Sequence, residues 1–207
     1  MRVEIVVFDG FDELDAVAPY EVLSHAANSG ADWDVALVSA HGAGPVSTAH
    51  GLQLTVTEGL GHPDALIVPG GGWGDHAERG TWSEVQGGIL PDRLAALAAD
   101  CAWVASVCTG AMLLAAAGLT RGRPAVTHRG ALGDLAAAGA HVIEHARVVD
   151  DGDLLTAAGV TSGLDLALWI IEREIGSTLA GRVARHIEHQ RSPAIWTREH
   201  PIFPELE

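Results

Sequence analysis

The sequence predicts an α/β protein with an open, mostly parallel sheet that is covered by helices on both faces. Three observations predict this class. Short apolar segments alternate with longer segments of helical periodicity along nearly the whole chain. Such alternation builds parallel βαβ units, because parallel strands are joined by crossover connections. The composition of 48% apolar and 19% charged residues is that of a globular protein, and 207 residues suffice for one core.

We expect one domain over residues 1–207, because no linker, repeat or low-complexity segment interrupts the alternation. In the first half, apolar runs predict strands, and apolar positions at helical spacing predict a helix that stops near Gly30. His50-Gly51, between two short strands, predicts a hairpin turn. The predicted elements are a strand at 3–8, a helix at 12–28, a strand at 33–39, a hairpin at 46–48 and 52–57, and a strand at 65–68.

The second half repeats this alternation and ends in two helices. The polar run Asp150-Asp151-Gly152-Asp153 predicts a second hairpin, and a Pro-containing tail follows the last helix. The predicted elements are a helix at 92–99, a strand at 102–107, a helix at 109–117, a strand at 125–127, a helix at 130–138, a hairpin at 147–149 and 154–157, and helices at 161–175 and 177–190.

The formal charge of −15 narrows the function classes. All 12 basic residues are arginines, and the acidic excess would repel nucleic-acid backbones and anionic lipids. No segment approaches the ~18 uncharged apolar residues of a membrane span, and the apolar run at 5–8 is too short for a signal peptide. We therefore expect a cytoplasmic protein whose partner is a small-molecule substrate, not a nucleic acid or a membrane.

Two cysteines, Cys101 and Cys108, stand at either end of the strand predicted at 102–107. A strand of that length would hold their Cα atoms roughly 23 Å apart, whereas a disulfide needs less than ~7 Å. We therefore expect two free thiols, which are either buried filler or, for one of them, a reactive nucleophile.

Cys108 follows a strand and precedes a helix, which is the arrangement of a nucleophile elbow. Ser106 and Gly110, two places on either side, are small enough for the tight turn that an elbow requires. The helix N-terminus favours a thiolate, so we expect a lowered pKa for the Cys108 thiol. The N–H of Thr109 would face the same space as an anion donor. A buried, inert Cys108 is the alternative interpretation.

Two further segments follow strands and would meet Cys108 at the carboxyl edge of the sheet. The glycines at 70–72 would bring N–H groups close to a ligand, although a turn that only needs positive φ has the same sequence. Asp15 lies among apolar residues, whereas Asp12 and Glu13 are explained as helix-start residues. A carboxyl group in apolar surroundings is either strongly hydrogen-bonded or has a raised pKa.

Eleven histidines raise the question of a metal site. His186 and His189 lie on the last predicted helix, but on an otherwise charged face, and no zinc-site spacing of Cys and His occurs. We therefore expect no metal. His128, directly after the strand at 125–127, is placed at the same sheet edge as Cys108 and is a candidate site residue.

Taken together, these motifs resemble the ThiJ/PfpI family, within the class I glutamine-amidotransferase-like superfamily. The resemblance covers nearly the whole chain and implies a flavodoxin-like fold. Its motifs are Glu13-Leu14-Asp15, Pro19-Tyr20-Glu21-Val22, Ile67-Val68-Pro69-Gly70-Gly71, Ser106-Val107-Cys108-Thr109-Gly110, Ala115-Ala116-Ala117-Gly118-Leu119, Thr127-His128, Leu154-Leu155-Thr156 and Gly159-Val160-Thr161-Ser162-Gly163-Leu164-Asp165. Within the family, the chain is most similar to the isonitrile hydratase branch and to the amino-terminal domain of certain AraC-type regulators.

The resemblance implies a homodimer that hydrates an isonitrile to an N-substituted formamide without a metal or an organic cofactor. It implies Cys108 as the nucleophile, Asp15 as its acidic partner and Thr109 as a contact at the elbow. The Thr109 amide would belong to an anion pocket. The other residues predicted to bind the substrate or its oxyanion are Gly71, Gly72 and His128.

Two departures separate the chain from other branches of the family. Thr109 stands where PfpI-type peptidases carry a histidine, so we do not expect peptidase activity. Asp15 stands where the deglycase and glyoxalase-like branch usually has glutamate, and the shorter side chain alters the reach to the thiol. A glyoxalase- or deglycase-like enzyme is the alternative, and a non-catalytic sensor of ligands or oxidative stress is another. The residues after Gly176 are too few for the DNA-binding module of a regulator.

Overall fold

A computed structural model describes residues 1–199 of the chain. The first half contains β1 (Arg2–Val7), α1 (Glu13–Asn28), β2 (Asp34–Ser39), β3 (Gly44–Ser47), β4 (Gln53–Val56), β5 (Ala65–Val68), α2 (Thr81–Gly87) and α3 (Ile89–Ala98). The second half contains β6 (Trp103–Val107), α4 (Gly110–Ala116), β7 (Pro124–Ala125), a 3₁₀ turn (Arg129–Ala131), α5 (Leu132–Ala137), β8 (His141–Val142), β9 (Val148–Asp150), β10 (Leu154–Ala157), α6 (Ser162–Glu174), α7 (Ser177–His186) and β11 (Ile195–Thr197). The end of the Pro-containing tail, residues 200–207, lies outside the described residues.

Within residues 1–199, seven strands form the main sheet in the order β11-β9-β10-β6-β5-β1-β2. Strands β2, β1, β5, β6 and β10 are parallel neighbours. Strand β9 is antiparallel to β10, and β3 is antiparallel to β4, so both predicted hairpins are confirmed. The open, mostly parallel sheet that the sequence predicts is therefore confirmed.

The helices pack in two groups, α1 with α6 and α7, and α2 with α3 and α4. Strands β5 and β6 are buried at every position, which explains why their sequences are apolar apart from Ser106. Trp103, Phe8 and Phe11 are the largest fully buried side chains of this core. In the described part of the chain, no helix has the length and apolarity to cross a membrane.

Three elements of the structure are absent from the sequence prediction: α2, β11 and the two-residue strand β8, which pairs with β7. Helix α2 lies between Gly80 and Gly88 and is too short to show a clear apolar period. Strand β11 has 3 residues and pairs with β9, which lies far from it in the sequence. A local pattern cannot reveal such a strand, because its stability depends on the distant partner.

The carboxyl ends of β1, β5 and β6 lie side by side, because these strands are parallel neighbours. The segments that follow them also contact one another. The N–H of Asp12, after β1, donates to the carbonyl of Gly70, after β5 (2.8 Å). Residues from three separate parts of the chain therefore meet at one edge of the sheet.

Candidate active site

Cys108 occupies a tight turn between β6 and α4. Its φ of +56° is a left-handed conformation, which is uncommon for a residue with a side chain. Its N–H donates to the carbonyls of Ala157 and Ala158 (both 3.1 Å), and its carbonyl accepts from the hydroxyl of Thr127 (2.8 Å). These hydrogen bonds hold a strained backbone conformation in place, and such strain is typical of functional sites.

The small residues around Cys108 are required by close packing. A Cβ on Gly110 would lie 2.1 Å from the carbonyl oxygen of Val68, and a Cβ on Gly70 would lie 2.4 Å from the amide nitrogen of Thr109. Neither position accommodates a side chain, because the interior has no room for atoms at such distances. The glycine loop therefore lies directly against the elbow.

Asp15 lies in the first turn of α1 and is fully buried. Its Oδ2 accepts a hydrogen bond from the N–H of Gly70 (3.1 Å), whereas its Oδ1 has no partner of good hydrogen-bond geometry among residues 1–199. Burial, together with the negative charge of Asp12, raises the pKa of Asp15 to about 8. The sequence predicts either a strong hydrogen bond or a raised pKa for Asp15, and the structure gives the raised pKa. The carboxyl group is therefore mostly protonated at neutral pH.

The thiol of Cys108 is the neighbour of this carboxyl group. Burial raises the pKa of Cys108 above its usual range, the charge of Asp15 raises it further, and the N–H of Thr109 acts in the opposite direction. The residue is only 6% exposed. The expectation of a lowered pKa from the helix N-terminus is therefore wrong, because desolvation and a carboxylate neighbour outweigh the helix dipole.

The Cys108 and Asp15 side chains influence the pKa of each other, so they titrate as a pair. The first proton leaves the pair near pH 8, where Asp15 ionises. The proton that remains can lie on the sulfur or on the carboxyl group. The pair can therefore pass one proton between Sγ and the carboxyl group without help from solvent.

The glycine loop forms a hydrogen-bond network with Thr109. The N–H of Gly71 donates to the hydroxyl oxygen of Thr109 (2.9 Å), so this predicted anion donor is occupied in the structure. The Thr109 hydroxyl donates to that of Thr81 (3.5 Å), and the N–H of Thr81 donates to the carbonyl of Gly71 (2.8 Å). The N–H of Gly72 makes no hydrogen bond within residues 1–199, and that of Thr109 contacts the Cys108 sulfur.

Thr81 is a residue of this network that sequence analysis misses. It is fully buried at the start of α2, a helix that the sequence does not predict. Nothing in the local sequence connects it to Thr109. The positive-φ interpretation of the glycine loop, by contrast, is supported at Gly71 (φ +124°) and at Gly72 (φ +65°).

The prediction that His128 follows a strand of the main sheet is wrong, because β7 pairs with β8 in a separate two-stranded sheet. Within residues 1–199, His128 makes no hydrogen bond to Cys108. Its Nδ1 accepts from the N–H of Gly130 (3.2 Å), so the neutral ring carries its proton on Nε2. The ring packs against Gly159, where a Cβ would lie 2.4 Å from Cδ2. His128 lines a cavity of about 370 Å³ together with Thr127 and Ala158, which both hydrogen-bond to the backbone of Cys108.

The two histidines that the sequence places on the last predicted helix, His186 and His189, have other partners. His186 packs edge to face against His25, with ring centroids 4.3 Å apart, and Nε2 of His189 hydrogen-bonds to Asp165 (3.0 Å). Among residues 1–199, no group of three or more His, Cys, Asp or Glu is arranged to hold a metal ion. Both cysteines are free, as predicted from the length of the strand between them.

A strained cysteine elbow beside a buried carboxyl group, at the carboxyl edge of a parallel sheet, defines a class of α/β proteins. Within this class the chain belongs to the DJ-1/PfpI family, whose model matches residues 1–173. The resemblance that the sequence motifs indicated is therefore confirmed.

Individual relatives extend this comparison. The isonitrile hydratase of Pseudomonas putida is 33% identical over 196 residues, which cover 93% of this chain and 80% of that protein. A ThiJ/PfpI family protein from Pseudomonas syringae has a TM-score of 0.80 at 28% identity, over 93% of this chain and 76% of that chain. Drosophila melanogaster DJ-1beta shares the fold, with a TM-score of 0.77 at 19% identity over 91% of this chain and 98% of that chain. The family thus includes enzymes such as isonitrile hydratase.

Proposed function

We propose that this protein hydrates an isonitrile to an N-substituted formamide, with Cys108 as the nucleophile. The observation that carries the proposal is the buried pair of Cys108 and Asp15, in which Oδ1 of Asp15 has no other partner within residues 1–199. The 33% identity to the isonitrile hydratase of Pseudomonas putida supports the choice of substrate. The reaction needs one group that attacks carbon and one that moves a proton, and the pair supplies both.

In the first step, Sγ of Cys108 attacks the terminal carbon of R–N≡C. The thiol proton passes to the Asp15 carboxylate, and Asp15 then delivers it to the same carbon. An S–C bond and a C–H bond form, the S–H bond breaks, and the product is the thioimidate Cys–S–CH=N–R. A pKa of about 8 keeps part of Asp15 ionised near neutral pH, so that it can accept this proton.

In the second step, water adds to the thioimidate carbon. Asp15 accepts one proton of the water and passes it to the nitrogen, which gives the adduct Cys–S–CH(OH)–NH–R. The adduct collapses as the C=O bond forms and the C–S bond breaks, and Asp15 returns the hydroxyl proton to the sulfur. The net reaction is R–N≡C plus water to R–NH–CHO, and the enzyme is regenerated.

Backbone N–H groups would stabilise the negative charge that develops in these steps. The N–H of Thr109 contacts the Cys108 sulfur and favours the thiolate that forms during attack and collapse. The N–H of Gly72 is a second donor for charge on the adduct. The N–H of Gly71 instead holds the Thr109 hydroxyl (2.9 Å), so Gly71 positions the elbow. His128 lines the adjoining cavity, where it would contact the R group.

Turnover of a neutral isonitrile such as benzyl isocyanide tests the proposal. We expect the purified protein to form the formamide, which chromatography detects, and Cys108→Ser to form none, because its hydroxyl is a far weaker nucleophile. Methylglyoxal is the parallel substrate for the glyoxalase- or deglycase-like alternative. Consumption of methylglyoxal without formamide formation would overturn the proposal in favour of that alternative, and no turnover of either compound would favour a sensor.

A further inference from the structure

A cavity of about 370 Å³ lies beside the elbow, and most of its wall has no part in the chemistry proposed above. Thr127 and Ala158 line it, and both hydrogen-bond to the backbone of Cys108, through the Thr127 hydroxyl (2.8 Å) and the Ala158 carbonyl (3.1 Å). The cavity therefore lies next to residues that hold the backbone of the elbow, and the Cys108 side chain is not among its lining residues. A substrate that spans from the sulfur past Thr127 and Ala158 would place its other end in this space.

One wall of the cavity carries an arginine whose orientation is fixed from one side. Nε of Arg147 donates to Oδ2 of Asp165 (2.8 Å), and its Nη2 donates to the hydroxyl of Thr161 (3.1 Å). Asp165 is itself buried, and its Oδ1 accepts from His189 (3.0 Å). Nη1 of Arg147 makes no hydrogen bond within residues 1–199. A guanidinium that is fixed on one edge and free on the other matches the geometry of a carboxylate.

Besides Arg147, the arginine and glutamate side chains that line this cavity are Arg129 and Glu144. Both are exposed, and neither forms an ion pair within residues 1–199. Asp165 balances the charge of Arg147 and the exposed Glu144 opposes that of Arg129, so these four charges sum to zero. Two arginines nevertheless line one cavity of a chain whose formal charge is −15, and the free Nη1 of Arg147 is a donor suited to an anionic oxygen.

We propose that this cavity binds a carboxylate on the R group of the substrate, so that the preferred isonitriles carry an acidic group. The isonitrile part of this statement rests on the proposed function, whereas the carboxylate site does not. Arg147 and Arg129 hold the carboxylate oxygens while Cys108 reaches the isonitrile carbon. The product of such a substrate is an N-formyl amino acid, of which N-formylglycine is the simplest.

Direct binding tests the site without turnover. The Cys108→Ala protein is titrated calorimetrically with N-formylglycine and with its neutral amide, which lacks the charge. We expect the carboxylate to bind at least about tenfold more tightly, since charge-assisted hydrogen bonds are the stronger class. Arg129→Gln should reduce this preference, and Glu144→Gln should increase it by removing the opposing charge. Arg121→Gln, at an exposed arginine outside the cavity, is the matched control and should change nothing.

Arg147 needs a paired variant, because its removal alone would leave Asp165 buried without a cation. Arg147→Met combined with Asp165→Asn should abolish the preference for the carboxylate. Equal affinity for the two ligands, or a preference that no cavity variant changes, would overturn the site.

Turnover separates this inference from the proposed function. Isocyanoacetate and its methyl ester are compared as substrates of the wild-type protein, and we expect the acid to have the higher kcat/KM. Selective binding of N-formylglycine without hydration of either isonitrile would overturn the proposed function and support the carboxylate site. Hydration of both with equal kcat/KM, together with unselective binding, would overturn the site and leave the proposed function intact.

Discussion

Asp15 and Asp151 are both buried aspartates, yet their carboxyl groups have opposite properties. Burial alone would raise the pKa of Asp151, but hydrogen bonds from Arg198 and from Arg123 (Nε to Oδ2, 2.6 Å) more than reverse this effect and lower it. Asp15 has an N–H and a thiol as neighbours in place of guanidinium groups, and its pKa rises to about 8. The difference lies in the partners, since both carboxyl groups are buried.

This difference separates a structural carboxyl group from a candidate catalytic one. Asp151 joins the hairpin of β9 and β10 to the segment after β11, and a compensated charge suits that purpose. Asp15 changes its protonation near neutral pH, as a proton relay must. Burial by itself therefore does not single out a candidate catalytic carboxyl group, whereas burial without a cationic partner makes Asp15 the candidate.

The largest effect is expected on turnover. Asp15→Asn should lower formamide formation by roughly 10²–10⁴-fold, the usual contribution of a general acid–base, while the protein stays folded. The amide retains an acceptor for the N–H of Gly70 but cannot exchange a proton with Cys108. Asp151→Asn, at the opposite end of β10 from the elbow, is the matched control and should keep its activity. Undiminished turnover by a folded Asp15→Asn protein would refute the relay.

Stability should change in opposite directions in the same two variants. Because the pKa of Asp15 is raised in the folded state, Asp15 contributes to the free energy of unfolding fully below its ordinary pKa of 3.8. This contribution is lost as the pH rises through about 8. Asp15→Asn does not titrate there, so at pH 8 its free energy of unfolding should exceed that of the wild type by several kcal/mol, up to roughly 5, because about four pKa units correspond to about 1.4 kcal/mol each. The difference should be smaller at pH 5, and denaturant unfolding at both pH values measures it.

Removing the charge of Asp151 should change the free energy of unfolding in the opposite direction. A lowered pKa gives a contribution that is present above 3.8 and lost only as the pH falls through the lower folded value. Asp151→Asn should therefore reduce the free energy of unfolding by roughly 1–3 kcal/mol at both pH 5 and pH 8, because Arg123 loses a buried ionic partner. The contrast between the two aspartates would be lost if both variants shifted stability the same way at pH 8.

Thiol alkylation should show a smaller effect. Above pH 8 the ionised Asp15 opposes the thiolate of Cys108, so Asp15→Asn should speed the reaction of Cys108 with iodoacetamide by about tenfold, or one pKa unit. Burial and Asp100 raise the pKa of Cys101 to about 11, and Cys101 serves as the internal reference. Mass spectrometry of the labelled peptides follows both rates. Equal Cys108 rates in the two proteins would show that the side chains are not coupled.

A further prediction concerns the oligomeric state and leaves the chemistry of the two aspartates unchanged: we expect a homodimer. Exposed Leu14 and Val17, on the same helix as Asp15, and exposed Leu52, beside β4, supply apolar surface that a second copy would cover. The region of Asp15 would then lie closer to the partner than the region of Asp151. Light scattering should give about twice 21.5 kDa, and a mass near 21.5 kDa at micromolar concentration would contradict the dimer.

Features set by neighbouring residues could be predicted from the sequence. The elbow can be predicted because a strand, a cysteine and a helix come in immediate succession. The need for a small residue at Gly110 can be predicted too, because the tight turn leaves no room for a side chain there. Asp15 is conspicuous because a carboxyl group interrupts an apolar helix face. The sheet follows from apolar runs such as β5 and β6, whose burial on both faces leaves no polar positions except Ser106.

Features set by distant contacts could not be predicted. The pKa of Cys108 depends on how tightly separate loops exclude water, and helix position alone gives the wrong direction. The hydrogen bond from Gly71 to Thr109 requires two loops to be docked, and Thr81 joins them from a helix without a clear sequence pattern. Strand β11 exists through its pairing with β9.

The central claim is that Asp15 is protonated at neutral pH, and infrared difference spectroscopy tests it most directly. Subtracting the spectrum of Asp15→Asn from that of the wild type isolates the carboxyl bands of this residue. We predict the C=O stretch of a protonated carboxylic acid at pH 6, which disappears with a midpoint near 8. Carboxylate bands already present at pH 6, with a midpoint near the ordinary value of 3.8, would contradict the claim.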